Sequence, residues 1–545
     1  MTNRSLGHRA PLLWVLLPLM AGLIAGKLQW LPFSPIIFAL GGVVCIAVTI
    51  GWKRVWPFGI AAGIFLSGAA YYDLSRDRLT DWDTLPPREV HVTLNVDRVF
   101  PAQADMRSIS GLGQITATDA HLTELTGQRV YFSLTPKPGE TPPLRSAQLE
   151  ITGVLQSLPR DPPMDTFEGY LANQGTNFKL NRARITGGTT RASAYHRFCD
   201  TALRRFNAIL GHGIGAHDKE TDVLRAMLLG QQQELSDEQK GEFRESGTMH
   251  LFSVSGLHIA VIAAVITGIL ILLRLPPLAR LIIGGLLLWL YVDITGGTPS
   301  AVRAWVMVMF LHASYVLRVP GNPVAALVAS AVCVLVIAPM QLFTASFQLS
   351  YGIVAALLML GLPLGEKLCE KGALFTSLPK ISWTWYHHSL DDAGQKLLSV
   401  LSIGLATTVV STISGVVIFQ LFTPVSLLAN LVLIPVGSLV IISGFLALLC
   451  GLVGFSAGAL LLNHASVLLL KGVDYGVNFF VSVPGAFHAA AFSPAWLGFT
   501  AMGGLLGVIF YGYATDWAPK RGGYWLPFAY TALALALGMK FLSAP

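Results

Sequence analysis

Two polar interruptions of apolar sequence carry the residue types that bind anions. Arg303 lies inside an apolar run, four residues after Pro299. An arginine there costs about 2.5 to 3.5 kcal/mol to insert at a bilayer centre, so something must offset it. A wet path for a polyanion would, because guanidinium binds phosphate bidentately. Snorkelling to the nearby interface would too, as would pairing with Asp293 one helix earlier. Ser253, Ser255, Gly256 and His258 stand at the start of another apolar run, where polar groups find partners or face water. They fit the mouth of a path, and equally close helix packing by Ser and Gly with His258 bonding between helices. Asn430 and Pro435 share a third run. A break there frees backbone carbonyls that must be buried or face a cavity, as at transport sites; a simple proline kink is the alternative. Gln348, Ser350 and Tyr351 suit polar packing between helices better than ligand contact.

Outside the apolar runs, Lys179, Arg182, Arg184, Arg191, Arg197, Arg204 and Arg205 face only Asp200 over 27 residues. Such a patch concentrates phosphates, whether on nucleic acid or on lipid headgroups. Tyr170, Phe178 and Tyr195 nearby could stack bases, though burial is the commoner fate of aromatics. Other chemistry finds no support. His387, His388, Asp391 and Asp392 have no metal-site spacing, and Cys45, Cys199, Cys333, Cys369 and Cys450 form no disulfide or zinc pattern. A Walker A loop is absent, and His250, His258 and Asp293 lack the spacing of a catalytic dyad. Neither a cofactor nor an enzymatic activity is expected.

These residues must be held by a membrane scaffold. With 53% hydrophobic and 12% charged residues, the chain cannot cover a soluble globule, and runs long enough to span recur along it. The expected fold is a polytopic α-helical membrane protein of about 11 to 13 hydrophobic helices with an inserted OB-like β-barrel. The first run, 11–26, has no cleavage site and reads as a retained helix. Residues 1–73 form three helices, 74–190 the barrel, 191–247 an amphipathic and polar helical linker, and 248–545 the main helical domain. Period-2 alternation in Val90, Val92, Leu94 and Val96 opens the barrel, and strand-like runs follow at 111–122, 128–135, 147–157 and 177–186. Residues 195–210 read as an interfacial amphipathic helix, and spans fall near 397–419, 424–449 and 452–470. Thirteen basic residues fall in loops that are cytoplasmic if the N-terminus is, against Lys27, Lys471 and Lys540 outside. That bias puts the barrel outside, in the periplasm.

The segment LLGQQQELSDEQKGEFRESGTMHLFSVSGLHIAVI, 228–262, resembles the signature of ComEC competence proteins. TPSAVRAWVM (298–307), SFQLSYGIV (346–354), TPVSLLANLVLIP (423–435) and DTFEGYLANQG (165–175) match the family in order, so the resemblance covers almost the whole chain. It implies an inner-membrane channel that takes up single-stranded transforming DNA, working with a DNA receptor, a nuclease and a cytoplasmic ATPase or helicase, and able to form a homodimer. The metal motif of the nuclease domain found in longer members does not occur in this sequence, so DNA cleavage is not expected of it. A transporter or flippase of another polyanionic or lipid-linked substrate is the alternative, with membrane lipids as partners in either case.

Overall fold

The computed structural model describes residues 10–29, 35–50, 56–75, 86–100, 108–120, 122–135, 142–159, 162, 166–214, 218–252, 254–317, 322–372, 374–375 and 380–542. Ser253, Arg4, Arg9, Lys53, Arg54 and Arg318 lie outside them. Three helices open the chain: α1 (Leu13–Lys27), α2 (Pro35–Ile50) and α3 (Trp56–Ser75). They pack backbone to backbone. A Cβ on Gly22 would come within 2.1 Å of the Phe65 carbonyl oxygen, so only glycine permits this approach, the usual device where helices meet without a hydrophobic drive between them.

The barrel follows. Its strands are β1 (Arg88–Val99), β2 (Ile109–Thr118), β3 (Arg129–Leu134), β4 (Gln148–Ser157) and β5 (Phe178–Thr190), with α4 (Phe167–Asn173) between the last two. They close in the order β1-β2-β3-β5-β4, with β3 and β5 parallel and the other pairs antiparallel. Alternation produces this closure. Val90, Val92, Leu94 and Val96 all point inward to meet Phe132, Ile151 and Leu180, while the residues between them face out. Each expected strand is present, and the order is that of an OB barrel.

The linker forms α5 (Ala194–Leu210), α6 (Lys219–Leu229) and α7 (Asp237–Glu245). Ser193 caps α5, and a Ser236/Gln239 capping box starts α7. These helices are more than an interfacial skirt: α6 is buried along most of its length, and Asn463 donates to the carbonyls of Ile209 and His212 at the end of α5. The expected apolar face of α5 also shifts, with Phe206 buried and Phe198 exposed.

The helical domain comprises α8 (Gly256–Leu272), α9 (Pro277–Ile294), α10 (Pro299–Val316), α11 (Pro323–Ile337), α12 (Ala345–Ala356), α13 (Leu362–Lys371), α14 (Trp385–Ile418), α15 (Ser426–Leu452), α16 (Ser456–Val481), α17 (Ala495–Ala514) and α18 (Leu526–Gly538). A π-turn at Leu357–Gly361 joins α12 to α13 as one continuous helix. Among the described residues, six helices are long and apolar enough to cross a membrane: α9, α12 with α13, α14, α15, α16 and α17. Helices α1, α8 and α11 are apolar but shorter. A three-stranded sheet, β6 (Leu421–Phe422), β7 (His488–Phe492) and β8 (Met539–Phe541), gathers the ends of α14 and α18.

Two of the expected spans are longer than their apolar runs, and a third is a single helix. Helix α14 begins at Trp385, twelve residues before the apolar run at 397, and α16 continues to Val481. Helix α15 runs unbroken through Pro435. The proline deprives the Leu431 carbonyl of its helical donor, but buried Leu433, Gly437 and Val440 hold the helix on either side of it.

Candidate functional site

The helical domain has two apolar cores that share no buried residue. One draws on α5 to α10, α15 and α16, the other on α1, α11, α12, α14, α17 and α18. Helix α10 stands between them. Its Val302, Trp305 and Val308 pack on the first core, and Met307 packs on the second.

Arg303 belongs to this seam. It is 2% exposed, which removes the snorkelling alternative. Its guanidinium donates to Gln341 Oε1 at 3.0 Å and Ser350 Oγ at 3.0 Å, and also to the Ser346 hydroxyl. All three acceptors sit on the second bundle and none is charged. Nε is buried without a partner. The hydrogen bonds satisfy most of the donors but leave the positive charge uncompensated, which makes the seam attractive to an anion.

The expected pairing of Arg303 with Asp293 does not form. The carboxylate of Asp293, at the end of α9, accepts from Arg145 Nη1 at 2.5 Å. Arg145 comes from the β3–β4 loop of the barrel, 148 residues away in the chain. It is also held by the Asp97 carbonyl, 3.2 Å from its Nε. Tyr195 on α5 lies near Asp293, and burial, followed by that carboxylate, pushes its hydroxyl above the ordinary phenol range. His196 Nδ1 reaches Ser146 Oγ of the barrel at 3.2 Å and Ser193 Oγ at 2.8 Å. Burial, then the Arg145 cation, lower its pKa from 6.5. On the other side, Asn173 Nδ2 donates to the Phe343 carbonyl at 3.4 Å, two residues from Gln341.

The sequence candidates separate into groups. Ser255 and His258 cap α8 through Ser255 Oγ and His258 Nδ1 at 2.9 Å, while His258 Nε2 is buried with no partner. Gly256, which is exposed, lies against Ala304 of α10, and Ser300 Oγ donates to the Val254 carbonyl at 3.1 Å. The α8, α10 and α12 motifs therefore adjoin, with Arg303 on the α10–α12 side. Asn430, whose Oδ1 is buried and unbonded, lies on α15, which packs with α8 in the first core. Gln348 donates to the Leu342 carbonyl at 3.2 Å and acts locally. Pro435 is exposed inside an intact helix.

The basic patch divides between two elements. Lys179 pairs with Glu168 at 2.6 Å, while Arg182 and Arg184 are exposed on β5 and Arg191 just beyond it. Arg197, Arg204 and Arg205 are exposed on α5, where Arg204 pairs with Asp200 at 2.6 Å and Arg205 donates to the Leu452 carbonyl at 3.5 Å. Sequence reading singled out Tyr170 but missed the rings that cluster with it on the barrel, Phe100, Tyr131 and Phe167. Neighbouring ring centroids lie 5.2 to 6.3 Å apart, and Arg98 sits over Phe100 at 5.7 Å. Phe167 is half exposed. The signal available was that Tyr131 falls on an outward strand position. His387, Asp391 and Asp392 are used locally: His387 caps α14, Asp391 holds the Leu374 amide, and Asp392 pairs with Lys396.

The sequence profile of the family described as Competence protein matches residues 227–515, more than half of the chain. The chain belongs to the competence protein family. All four segments of the helical domain that resemble ComEC proteins fall within or overlap that match. ComE operon protein 3 of Bacillus subtilis (strain 168) is 30% identical over 139 residues, which is 26% of this chain and 18% of that protein. No solved structure matches. A competence-family chain with six helices long and apolar enough to cross a membrane among its described residues, and with an OB-like barrel, is therefore a multi-pass membrane protein.

Proposed function

We propose that the protein conducts single-stranded DNA across the bacterial inner membrane, along the seam between its two bundles. The observation that carries this reading is Arg303, a buried cation with only neutral acceptors, held where the family's α10 and α12 motifs meet. Ser255, Gly256, His258 and Asn430 line the approach to it. The barrel faces the periplasm and the N-terminus the cytoplasm, a reading supported by the bias of basic residues among the loops. The aromatic cluster and Arg98 receive the strand, since ring stacking grips any base and the cation holds backbone phosphate. A receptor and a nuclease outside, and a cytoplasmic motor, supply the steps this chain's own residues do not. The α5 arginines meet either the strand or lipid phosphates.

The test is fluorescent DNA uptake in cells carrying the intact gene, a deletion, Arg303→Gln or Arg303→Lys, each variant checked for membrane abundance. Cytoplasmic DNA disappears in the deletion. It falls about tenfold or more in Arg303→Gln, the loss expected when a charge-assisted contact to phosphate is removed, and less in Arg303→Lys. Unchanged uptake in the deletion would replace this reading with transport of another polyanionic or lipid-linked substrate.

A further inference from the structure

The barrel touches both bundles. Arg145 and Ser146 hold it to α9 and α5, which belong to the first, and Asn173 holds it to the Pro339–Phe343 turn, which belongs to the second. The two attachments differ in kind. Asn173 makes one neutral hydrogen bond, whereas Arg145 makes an ion pair with a carboxylate only 8% exposed while remaining 34% exposed itself. A phosphodiester can therefore reach the guanidinium from solvent, and it offers the same two-oxygen face as the carboxylate it would displace.

We propose that the Arg145–Asp293 pair is a phosphate-releasable latch: the DNA backbone at the barrel takes Arg145 from Asp293 and loosens the barrel's junction with the first bundle while Asn173 keeps it on the second. The inference rests on the DNA-conducting reading above and adds its regulation. Asp293 supplies the return stroke. It ends α9, where the helix dipole already disfavours negative charge, so a carboxylate left there without Arg145 recaptures the guanidinium once the phosphate has moved on. Gly297 turns the chain beside the pair at φ +58°, a conformation that favours glycine.

The experiment uses Ser146→Cys with His196→Cys, two positions whose side chains touch across the junction, in the full-length protein with its native cysteines replaced. In lipid nanodiscs, the rate of crosslinking by a short reversible thiol reagent is measured with and without a single-stranded oligonucleotide. Crosslinking without oligonucleotide confirms that the variant is folded and docked. Addition of oligonucleotide slows it about fivefold or more, the scale of ordinary coupling between sites. In Arg145→Gln it is slow from the start and indifferent to DNA. In cells, the crosslinked protein binds DNA at the surface but passes none until reductant is added. An unchanged rate with oligonucleotide, or normal passage by the crosslinked protein, overturns the latch. If the uncrosslinked parent internalises no DNA, the conducting reading fails, and the nanodisc rates still decide whether phosphate opens the junction.

Discussion

His196 shows how a single side chain reports on the barrel junction. Its Nδ1 is within hydrogen-bonding range of two hydroxyls, Ser146 Oγ from the barrel and Ser193 Oγ from the start of α5. Hydroxyls can donate to a neutral ring nitrogen, and protonation removes that acceptor. Burial and the neighbouring Arg145 lower the pKa from 6.5, against an opposing pull from Asp293; Tyr195 and Cys199, both pushed upward, stay neutral alongside. Just below pH 6.5 the undocked state therefore holds more protons than the docked one. Docking is complete above that pH and weakens as pH falls through the window toward the lowered value. Hydrogen exchange at the Ser193 amide, which donates to Ser146 Oγ at 3.0 Å, is the measurement. Corrected for intrinsic rate, its protection falls as the pH drops below 6.5 in the parent protein and stays level in His196→Gln.

At the level of elements, Pro435 separates the two readings that its sequence left open. A broken span would need carbonyls facing a cavity, but α15 is continuous and the proline is exposed on its surface. Pro435→Ala restores the helical bond to Leu431, so cytoplasmic DNA uptake stays at the parent level and the protein melts no lower. A loss of uptake at normal abundance would return the break to the mechanism. The barrel was the most legible element, because outward and inward residues alternate so regularly in β1 that the face of Val90, Val92, Leu94 and Val96 is fixed by period alone. The linker was less legible. Helix α6 carries Lys219, Glu220, Asp222 and Arg225 and reads as polar, yet Thr221, Val223, Leu224 and Ala226–Leu229 are buried among α5, α15 and α16. The early start of α14 was hidden because its first turns, Trp385 to Lys396, are aromatic and polar rather than apolar. Partners distant in sequence were beyond any pattern. Nothing near Asp293 announces Arg145, and nothing near Arg303 announces Gln341; only the four resembling segments suggested that their neighbourhoods belong together.

The whole molecule is two bundles with a polar seam, joined on one side by a barrel that grips both. The two apolar cores share no buried residue, so burial stabilises the bundles individually while they meet through α10 with Arg303, through α14 against α15, through Arg244 on the Phe419 carbonyl and through the barrel's attachments. Such an arrangement can widen at the seam without exposing either core, which a single continuous core could not do. The barrel then acts as the restraint. While one tether holds, the other re-forms at high effective concentration, and only loss of both lets the barrel move freely. Asn173→Ala should therefore leave trypsin cleavage at exposed Arg191, where β5 leads into α5, close to the parent rate in spheroplasts, while Arg145→Gln, which undocks only the junction with the first bundle, should raise it modestly. The double variant should be cut much faster than either rate alone would give. Its membrane helices should stay intact, because neither residue belongs to a core. Equal acceleration by one single variant and the double would mean that the barrel hangs from one bundle only, and the seam would then have to open without its help.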